Sequence, residues 1–323
     1  MQPGIAVGVD LGGTNLRAAL VDVPSGQLLA EDKRPHVDRS PDAVAASLAA
    51  AVRAVDPEHR RGGLGVGIAA MLRGWTGVVI KAPNLGWREV AFRQALETRL
   101  PGEPIELYND LNAIALGEAR YGGARGTRDV LCVYLGTGIG AGLVVDGRLY
   151  AGATHLAGEI GHAKVVLEGG RLCGCGEHGC LEAYASGTHI AQRAREELQT
   201  RPSLAIELAG GADKVHAGHL DEAARRGDAY AEALWDEVSR HVGLALGAAV
   251  TLLNPSRLVV GGGVLAGAPR LGELVRARLR RAANPPSLGG FELVETTLGD
   301  HAGVLGAAAA ILDRNAPIAT EVR

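Results

Sequence analysis

An internal repeat constrains the fold of this chain more than any other feature. Residues 9–22 and 133–146 follow one pattern: an apolar strand, a glycine-containing turn, a second apolar strand and a closing turn. At an offset of 124 residues the matched pairs are Val9/Val133, Leu11/Leu135, Gly12/Gly136, Ala18/Gly142, Val21/Val145 and Asp22/Asp146. A chain of 323 residues is long enough for two domains of roughly 100–200 residues. The repeat therefore predicts two similar domains.

The segments around the two hairpins indicate a mixed α/β architecture. A third strand is predicted after each hairpin, and apolar residues at helical spacing predict helices further along. The predicted strands are 27–29, 64–69, 148–150 and 258–260, and the principal helices are Pro41–Val55, 188–199, 270–282 and 304–312. This pattern favours a duplicated α/β fold with a cleft between its halves.

Charge and hydropathy exclude several classes of function. The formal net charge is −3 and the charged residues are mixed along the chain, so no basic face is expected to bind nucleic acid. No apolar run approaches the roughly 20 residues that span a bilayer, and the N-terminus lacks the pattern of a secretory signal. We therefore expect a cytoplasmic protein with no membrane or nucleic-acid partner.

The two glycine turns predict phosphate binding. Neither resembles a dinucleotide fingerprint or a Walker loop, because each turn leads into a second strand and not into a helix. Glycines still let backbone N–H groups approach an anion closely, and Thr14 and Thr137 add hydroxyl donors. The turns could therefore hold phosphates.

Three of the four cysteines form a cluster typical of structural zinc. Cys173, Cys175 and Cys180 lie within eight residues, and their sulfur atoms need a fourth ligand to complete a tetrahedral site. The spacing leaves His162 and His178 as alternatives for that ligand. Cys132 differs, since it lies inside the apolar strand 130–135 and is expected to be a small buried side chain.

Asn109 and Asp110 end a short apolar strand and precede a helix. A carboxylate at such a strand end is well placed to serve as a general base. Either residue could instead cap the helix, because Asn and Asp are both favoured at that position. The residues alone leave both interpretations open.

Three glycine motifs together resemble those of a known family. Asp10-Leu-Gly-Gly-Thr-Asn15, Gly136-Thr-Gly138 and Gly261-Gly-Gly263 are similar to the phosphate and adenosine motifs of the actin and hexokinase superfamily. Within it the chain resembles the ROK family (repressors, open reading frames, kinases) from residue 5 to about residue 312. The resemblance implies a ribonuclease H-like, actin-like ATPase fold with an interdomain cleft. Its smaller domain would be 1–112 plus 304–323, and its larger domain 113–303.

The resemblance also implies an activity, an ATP-dependent transfer of phosphate to the 6-hydroxyl of a hexose, with glucose preferred. Asp110 would be the catalytic base, and Asp10 would face the Mg²⁺ of MgATP, since Mg²⁺ prefers carboxylate and water oxygens. The expected sugar contacts are Asn84, Asn109, Asp110, Glu159, His162 and Glu182. The expected nucleotide contacts are Asp10, Gly12, Gly13, Thr14, Asn15, Gly136, Thr137, Gly138, Gly261, Gly262 and Gly263. The expected zinc ligands are His162, Cys173, Cys175 and Cys180, and a homodimer or higher oligomer is expected.

Several alternatives remain open on sequence alone. The segment 67–73, Gly-Ile-Ala-Ala-Met-Leu-Arg, lacks the Pro-Gly loop common in ROK kinases, so mannose, fructose, N-acetylglucosamine and N-acetylmannosamine stay candidate substrates. Polyphosphate or ADP could replace ATP as donor. A repressor of the family would need a helix-turn-helix domain before the first hairpin, for which Asp10 is expected to leave no room. A non-catalytic sugar sensor or an actin-like filament protein is the remaining rival.

Overall fold

The computed structural model describes residues 4–312, and the bounds of its elements follow the predicted α/β pattern. The strands are β1 Ile5–Leu11, β2 Asn15–Asp22, β3 Gln27–Pro35, β4 Leu64–Ile68, β5 Met71–Leu72, β6 Val79–Ala82, β7 Trp87–Val90, β8 Ile105–Asn109, β9 Val130–Leu135, β10 Ile139–Val145, β11 Arg148–Leu149, β12 Arg257–Gly261 and β13 Glu292–Glu295. The helices are α1 Pro41–Val55, α2 Phe92–Arg99, α3 Asp110–Tyr121, α4 Glu182–Ala185, α5 Gly187–Glu197, α6 Leu204–Ala209, α7 Ala217–Arg225, α8 Ala229–Leu253, α9 Gly263–Gly267, α10 Pro269–Ala282 and α11 Ala302–Leu312.

The two main sheets confirm the predicted duplication. The first has the order β3-β2-β1-β4-β8 and the second the order β11-β10-β9-β12-β13. In each sheet the first strand along the chain lies at the centre, with the third and the fifth strands at the two edges. β1 pairs antiparallel with β2 and parallel with β4, so the repeated hairpin sits beside a parallel crossover strand. A separate small sheet, β5-β6-β7, follows β4.

Local sequence explains where the predicted helices begin. Helix α1 starts at the predicted Pro41, and the Ser40 hydroxyl oxygen accepts a hydrogen bond from the Ala43 N–H (3.4 Å). Proline suits a first helical position because its missing N–H has no partner there in any case. The strand predicted at 27–29 is longer than expected: β3 runs to Pro35 because it pairs with the whole of β2.

Helix α11 is buried along most of its length because glycines let it approach its neighbours. A Cβ atom at Gly65 of β4 would overlap the carbonyl of Ala307, and one at Gly306 would overlap the carbonyl of Ala113 in α3. Residues 302–311 of this apolar, alanine-rich helix are all buried. Close contact of this kind gains dispersion energy that longer side chains would prevent. It also brings the first turn of α11 to the end of β1.

The chain divides into two compact units. One comprises Met1–Cys132, Gly142–Gly158 and Thr296–Arg323, and the other Val133–Ala141 and Glu159–Glu295. The domain limits expected from the family, 1–112 plus 304–323 and 113–303, stay a prediction, and positions 1–3 and 313–323 lie outside the described residues. Between residues 4 and 312, every helix is too short or too polar to cross a membrane.

Candidate active site

The turn between β1 and β2 carries the first predicted phosphate motif. The Gly12 N–H donates to the Asn15 carbonyl (3.0 Å) and closes the turn. His36, just after β3, holds the turn: its N–H donates to the Thr14 carbonyl (2.8 Å) and its ring Nε2 lies 3.0 Å from the Gly12 carbonyl oxygen. Thr14, in the same turn, is exposed.

A predicted sugar residue lies against this turn. A Cβ atom at Gly13 would be 2.5 Å from Cβ of Asn84, so only glycine allows their close approach. Asn84 is exposed in the turn after β6, and its carbonyl accepts a hydrogen bond from Arg39 (3.4 Å). One predicted phosphate residue and one predicted sugar residue are therefore neighbours within the first unit.

Asp10 lies in a locally negative environment. Burial raises the pKa of Asp10 to about 6; the positive charge of Arg17, its cross-strand partner, opposes this rise, and the negative charge of Asp300 adds to it. Arg17 also pairs with Glu31 and with Asp300 (3.0 Å). Three carboxylates therefore lie near the Arg17 guanidinium, and the His301 ring lies 3.5 Å from the carboxylate of Glu31. The carboxylates around Asp10 favour a bound cation. The Asp10 carboxyl packs against Gly303, where a Cβ atom would lie 3.1 Å from its Cγ.

The structure shows which of Asn109 and Asp110 caps helix α3. Asn109 is the helix cap, because its Oδ1 accepts hydrogen bonds from the Leu111 N–H (3.0 Å) and the Asn112 N–H (3.3 Å). Its Nδ2 donates to the Ala70 carbonyl (3.3 Å). Asp110 is the first residue of α3 and is partly buried, and the capping bonds are made by its neighbour.

Both nucleotide motifs of the second unit meet at the end of β9. The turn between β9 and β10 is closed by the Gly136 N–H, which donates to the Gly138 carbonyl (2.9 Å). From the other side, the Gly187 N–H donates to the Gly136 carbonyl (2.8 Å). Gly262 has a φ of 96°, and a Cβ atom there would lie 2.7 Å from the Leu135 nitrogen. Both the conformation and the contact require glycine.

The predicted sugar residues of the second unit fall into two contacts. Glu182, the first residue of α4, accepts a hydrogen bond at Oε2 from the Ile139 N–H (2.8 Å), immediately after the turn. Glu159 lies with its Oε2 3.7 Å from Nε2 of His162. Burial raises the pKa of Glu159, the charge of His162 opposes the rise, and the charge of Glu182 increases it.

The cysteine cluster has the geometry of a tetrahedral metal site. Ligand atoms of His162, Cys173, Cys175 and Cys180 all lie within 4.8 Å of one another. The sulfur atoms of Cys175 and Cys180 are 3.8 Å apart, and Cys173 Sγ is 3.8 Å from His162 Nδ1. Zinc–sulfur bonds of about 2.3 Å place tetrahedral sulfur atoms about 3.8 Å apart, so the donor set fits zinc.

The cluster resolves the alternative that spacing left open. His178 is exposed and outside the cluster, whereas His162 Nδ1 lies within it. Lys164 borders the cluster: its Nζ donates to the His178 carbonyl (2.7 Å) and lies 3.6 Å from Cys180 Sγ. Cys132, outside the cluster, is fully buried in β9 as predicted.

Sequence reasoning missed four residues that border these sites: His36, Arg17, Asp300 and Lys164. The position of Arg17 could have been predicted from sequence, because hairpin pairing across residues 12–14 places it opposite Asp10. His36 and Asp300 reach their partners through tertiary contacts that leave no local pattern.

Comparison with known proteins identifies the family. The model of the ROK family matches residues 6–314. The glucokinase of Streptomyces coelicolor is 34% identical over 314 residues, which cover 94% of this chain and 96% of that protein. The crystal structure of a ROK family glucokinase from Streptomyces griseus with glucose and AMPPNP is 35% identical, with a TM-score of 0.77 over 94% of this chain and 98% of that one. The ROK hexokinase from Thermus thermophilus is 35% identical, with a TM-score of 0.80 and coverage of 94% and 97%. The chain belongs to the ROK family, and its fold is the predicted duplicated actin-like ATPase fold.

Proposed function

We propose that this chain is an ATP-dependent hexose kinase that transfers the γ-phosphate of ATP to the 6-hydroxyl of glucose. The observation that carries the proposal is the Asn109-Asp110 pair, in which Asn109 caps α3 and Asp110 begins the helix beside it. The similarity to two Streptomyces glucokinases over nearly the whole chain supports glucose and ATP as the substrates.

Asp110 is the general base of this reaction. Its carboxylate accepts the proton of the sugar 6-hydroxyl as that oxygen bonds to the γ-phosphorus. The bond from phosphorus to the bridging oxygen breaks at the same time, and ADP leaves with that electron pair. Phosphoryl transfer asks little covalent chemistry of a protein, so alignment and charge stabilisation provide most of the rate.

Asn109 can still hold a sugar hydroxyl while it caps the helix. Its Oδ1 accepts two N–H groups and one Nδ2 hydrogen goes to Ala70, which leaves a second Nδ2 hydrogen to donate. Asn84, Glu159, His162 and Glu182 complete the sugar contacts. Carboxylates and amides suit hydroxyl groups, since an unpaired polar group in a closed site is costly.

The nucleotide binds to the glycine motifs. Residues 12–15 and 136–138 contact the phosphates, and residues 261–263 contact the adenosine. Asp10 would face the Mg²⁺ of MgATP, consistent with the carboxylates around Arg17. When bound, Mg²⁺ would neutralise phosphate charge, and the carboxylate of Asp10 would help to hold it.

The histidine–cysteine cluster would hold a structural zinc ion. Cys173, Cys175 and Cys180 provide thiolates and His162 provides Nδ1, which leaves Nε2 of the same ring to face Glu159 and the sugar. Bound zinc would fix the orientation of the imidazole, and it contributes no chemistry of its own. The predicted homodimer or higher oligomer stays a prediction, and exposed Leu244 and Leu252 on α8 offer an apolar surface for it.

A coupled kinase assay tests the proposal. The wild-type chain with Mg²⁺ is assayed on glucose, mannose, fructose, N-acetylglucosamine and N-acetylmannosamine, each with ATP, ADP or polyphosphate. We expect glucose with ATP to give the highest kcat/KM. Asp110→Asn should keep its fold and glucose affinity but lose about 10²–10⁴-fold in kcat, the usual contribution of a positioned base.

Asp42→Asn is the matched control, since Asp42 also lies in the first turn of a helix and its side chain is 84% exposed. Loss of charge there should cost about 0.3–1 kcal/mol of stability and no activity. Retained turnover in Asp110→Asn would remove Asp110 from its role. A higher kcat/KM for another sugar would overturn the assignment of glucose.

A further inference from the structure

The segment 182–187 holds the second glycine turn at both ends. At one end, the Glu182 carboxylate accepts the Ile139 N–H (2.8 Å). At the other end, the Gly187 N–H donates to the Gly136 carbonyl (2.8 Å). The turn predicted to contact phosphate is therefore supported from one short segment, and all of these residues lie in the second compact unit.

Gly138 packs closely against the carboxylate of Glu182. A Cβ atom at residue 138 would lie 2.7 Å from Glu182 Oε2, so a side chain there would displace that oxygen. At Gly136, in contrast, a Cβ atom would come no closer than 4.0 Å to the Gly138 carbonyl oxygen. The contact at residue 138 therefore involves the carboxylate of Glu182 specifically.

We propose that Glu182 is a positioning residue for the nucleotide turn in addition to its sugar contact. The part of this inference that concerns sugar binding by Glu182 rests on the proposed function. A carboxylate that accepts a backbone N–H makes a charge-assisted hydrogen bond, which is stronger than one between neutral groups. That bond fixes the start of β10 and with it the turn that precedes Ile139.

A shared side chain links the two ligands. A sugar hydroxyl that binds Glu182 orders the carboxylate, and an ordered carboxylate holds the turn in one conformation. By linkage, a nucleotide that selects this conformation must in return favour sugar binding by the same factor. Glucose and nucleotide should therefore bind with positive cooperativity that depends on Glu182.

The first test measures nucleotide affinity without sugar. Titration calorimetry with AMPPNP and Mg²⁺ is run on the wild type, Glu182→Ala, Glu182→Gln and Glu159→Gln. Glu182→Ala should raise the Kd for AMPPNP about tenfold, the lower end of what a hydrogen bond to a charged group contributes. Glu182→Gln keeps an acceptor oxygen and should raise it only about threefold.

Glu159→Gln is the matched control. It removes the charge of another proposed sugar contact, and the Glu159 carboxylate lies against His162 and not against the turn. Its Kd for AMPPNP should equal that of the wild type, and the melting temperature and zinc content of each variant check the fold. An unchanged Kd for AMPPNP in Glu182→Ala overturns the inference.

The second test runs in the reverse direction. Gly138→Ala and Gly136→Ala are titrated with glucose in the absence of nucleotide. Gly138→Ala should raise the Kd for glucose severalfold because the new methyl group displaces the Glu182 carboxylate, while Gly136→Ala should leave it unchanged. Equal effects of the two alanines would contradict the inference.

The two tests separate this inference from the proposed function. If the wild type fails to phosphorylate glucose, the proposed function fails, yet the effect of Glu182→Ala on AMPPNP binding still decides whether the turn depends on Glu182. If Glu182→Ala binds AMPPNP normally and loses only glucose, the kinase assignment stands and the positioning role is refuted.

Discussion

Replacing Asp10 with asparagine should make the protein more stable and inactive. Burial holds the pKa of Asp10 at about 6, above its ordinary value of 3.8. Between these two pH values the folded state binds a proton that the unfolded state has released. The free energy of unfolding therefore falls as the pH rises from 3.8 to about 6. Above the pKa of Asp10 in the folded state, the carboxylate destabilises the protein by its full amount.

The rise of the Asp10 pKa from 3.8 to about 6 corresponds to about 3 kcal/mol at neutral pH, because a tenfold change in an acid dissociation constant is worth about 1.36 kcal/mol. At about pH 4.5 the same linkage leaves a penalty of only about 1 kcal/mol. Asparagine has almost the same shape without the charge, although its amide must also be desolvated at a cost of about 1 kcal/mol. Asp10→Asn should therefore gain about 1–3 kcal/mol near pH 7.5 and little or nothing near pH 4.5.

The assay is urea unfolding at both pH values without added Mg²⁺ or nucleotide. The matched control is Asp300→Asn, which removes the same charge beside the same Arg17 from a side chain that is 80% exposed. Its stability should stay within about 0.5 kcal/mol of the wild type. The reasoning is refuted if Asp10→Asn gives no gain near pH 7.5, or an equal gain at both pH values.

Three further predictions follow from packing and ligation. Gly306→Ala should destabilise the protein by at least about 3 kcal/mol in urea unfolding, since its methyl group would overlap a carbonyl of α3. Its control is Gly272→Ala in α10, where the added methyl group meets open space and should stabilise the protein by about 0.5–1 kcal/mol. Arg61→Met should cost about 3 kcal/mol in the same assay, because it removes the 2.8 Å ion pair of the fully buried Asp56 carboxylate and leaves the longer 3.8 Å ion pair with Arg60. Metal analysis should find about one zinc per chain, and Cys175→Ser should lose zinc faster to a chelator and lower the melting temperature; equal zinc retention in that variant would contradict the ligand set.

The hairpin that begins each sheet could be predicted from sequence because the relevant pattern is local. Each hairpin is a continuous stretch of apolar strand, glycine turn and apolar strand, and the repeat shows the same stretch twice. The packing of α11 could not be predicted in the same way. Gly65 and Gly306 are distant in sequence from the carbonyls that they approach, and a glycine within a strand or helix has several explanations until its neighbour is known.

In the candidate site, too, local sequence features could be predicted and tertiary contacts could not. Spacing identified Cys173, Cys175 and Cys180, but it could not choose between His162 and His178, since both lie close to the cluster in sequence. The choice follows from the bridge between Leu172 and His178, which belongs to a hairpin that leaves His178 exposed. Sequence also left the helix cap open, and only the hydrogen bonds of Asn109 assign it.

The duplication repeats the glycine turn but not the groups that hold it, and the closing bonds also differ: the Gly12 N–H donates to the Asn15 carbonyl, whereas the Gly136 N–H donates to the Gly138 carbonyl. His36 holds the first turn through a ring nitrogen and its own N–H, whereas Glu182 and Gly187 hold the second. The glycines of each turn have no side chains with which to fix the turn, and each copy is held by residues outside the repeat. Those residues are free to acquire a second ligand without disturbing the hairpin. If Glu182 contacts the sugar as proposed, only one of the two turns is supported by a sugar contact. Glu182, and not a residue of either glycine motif, is then the position at which binding of the two substrates is coupled.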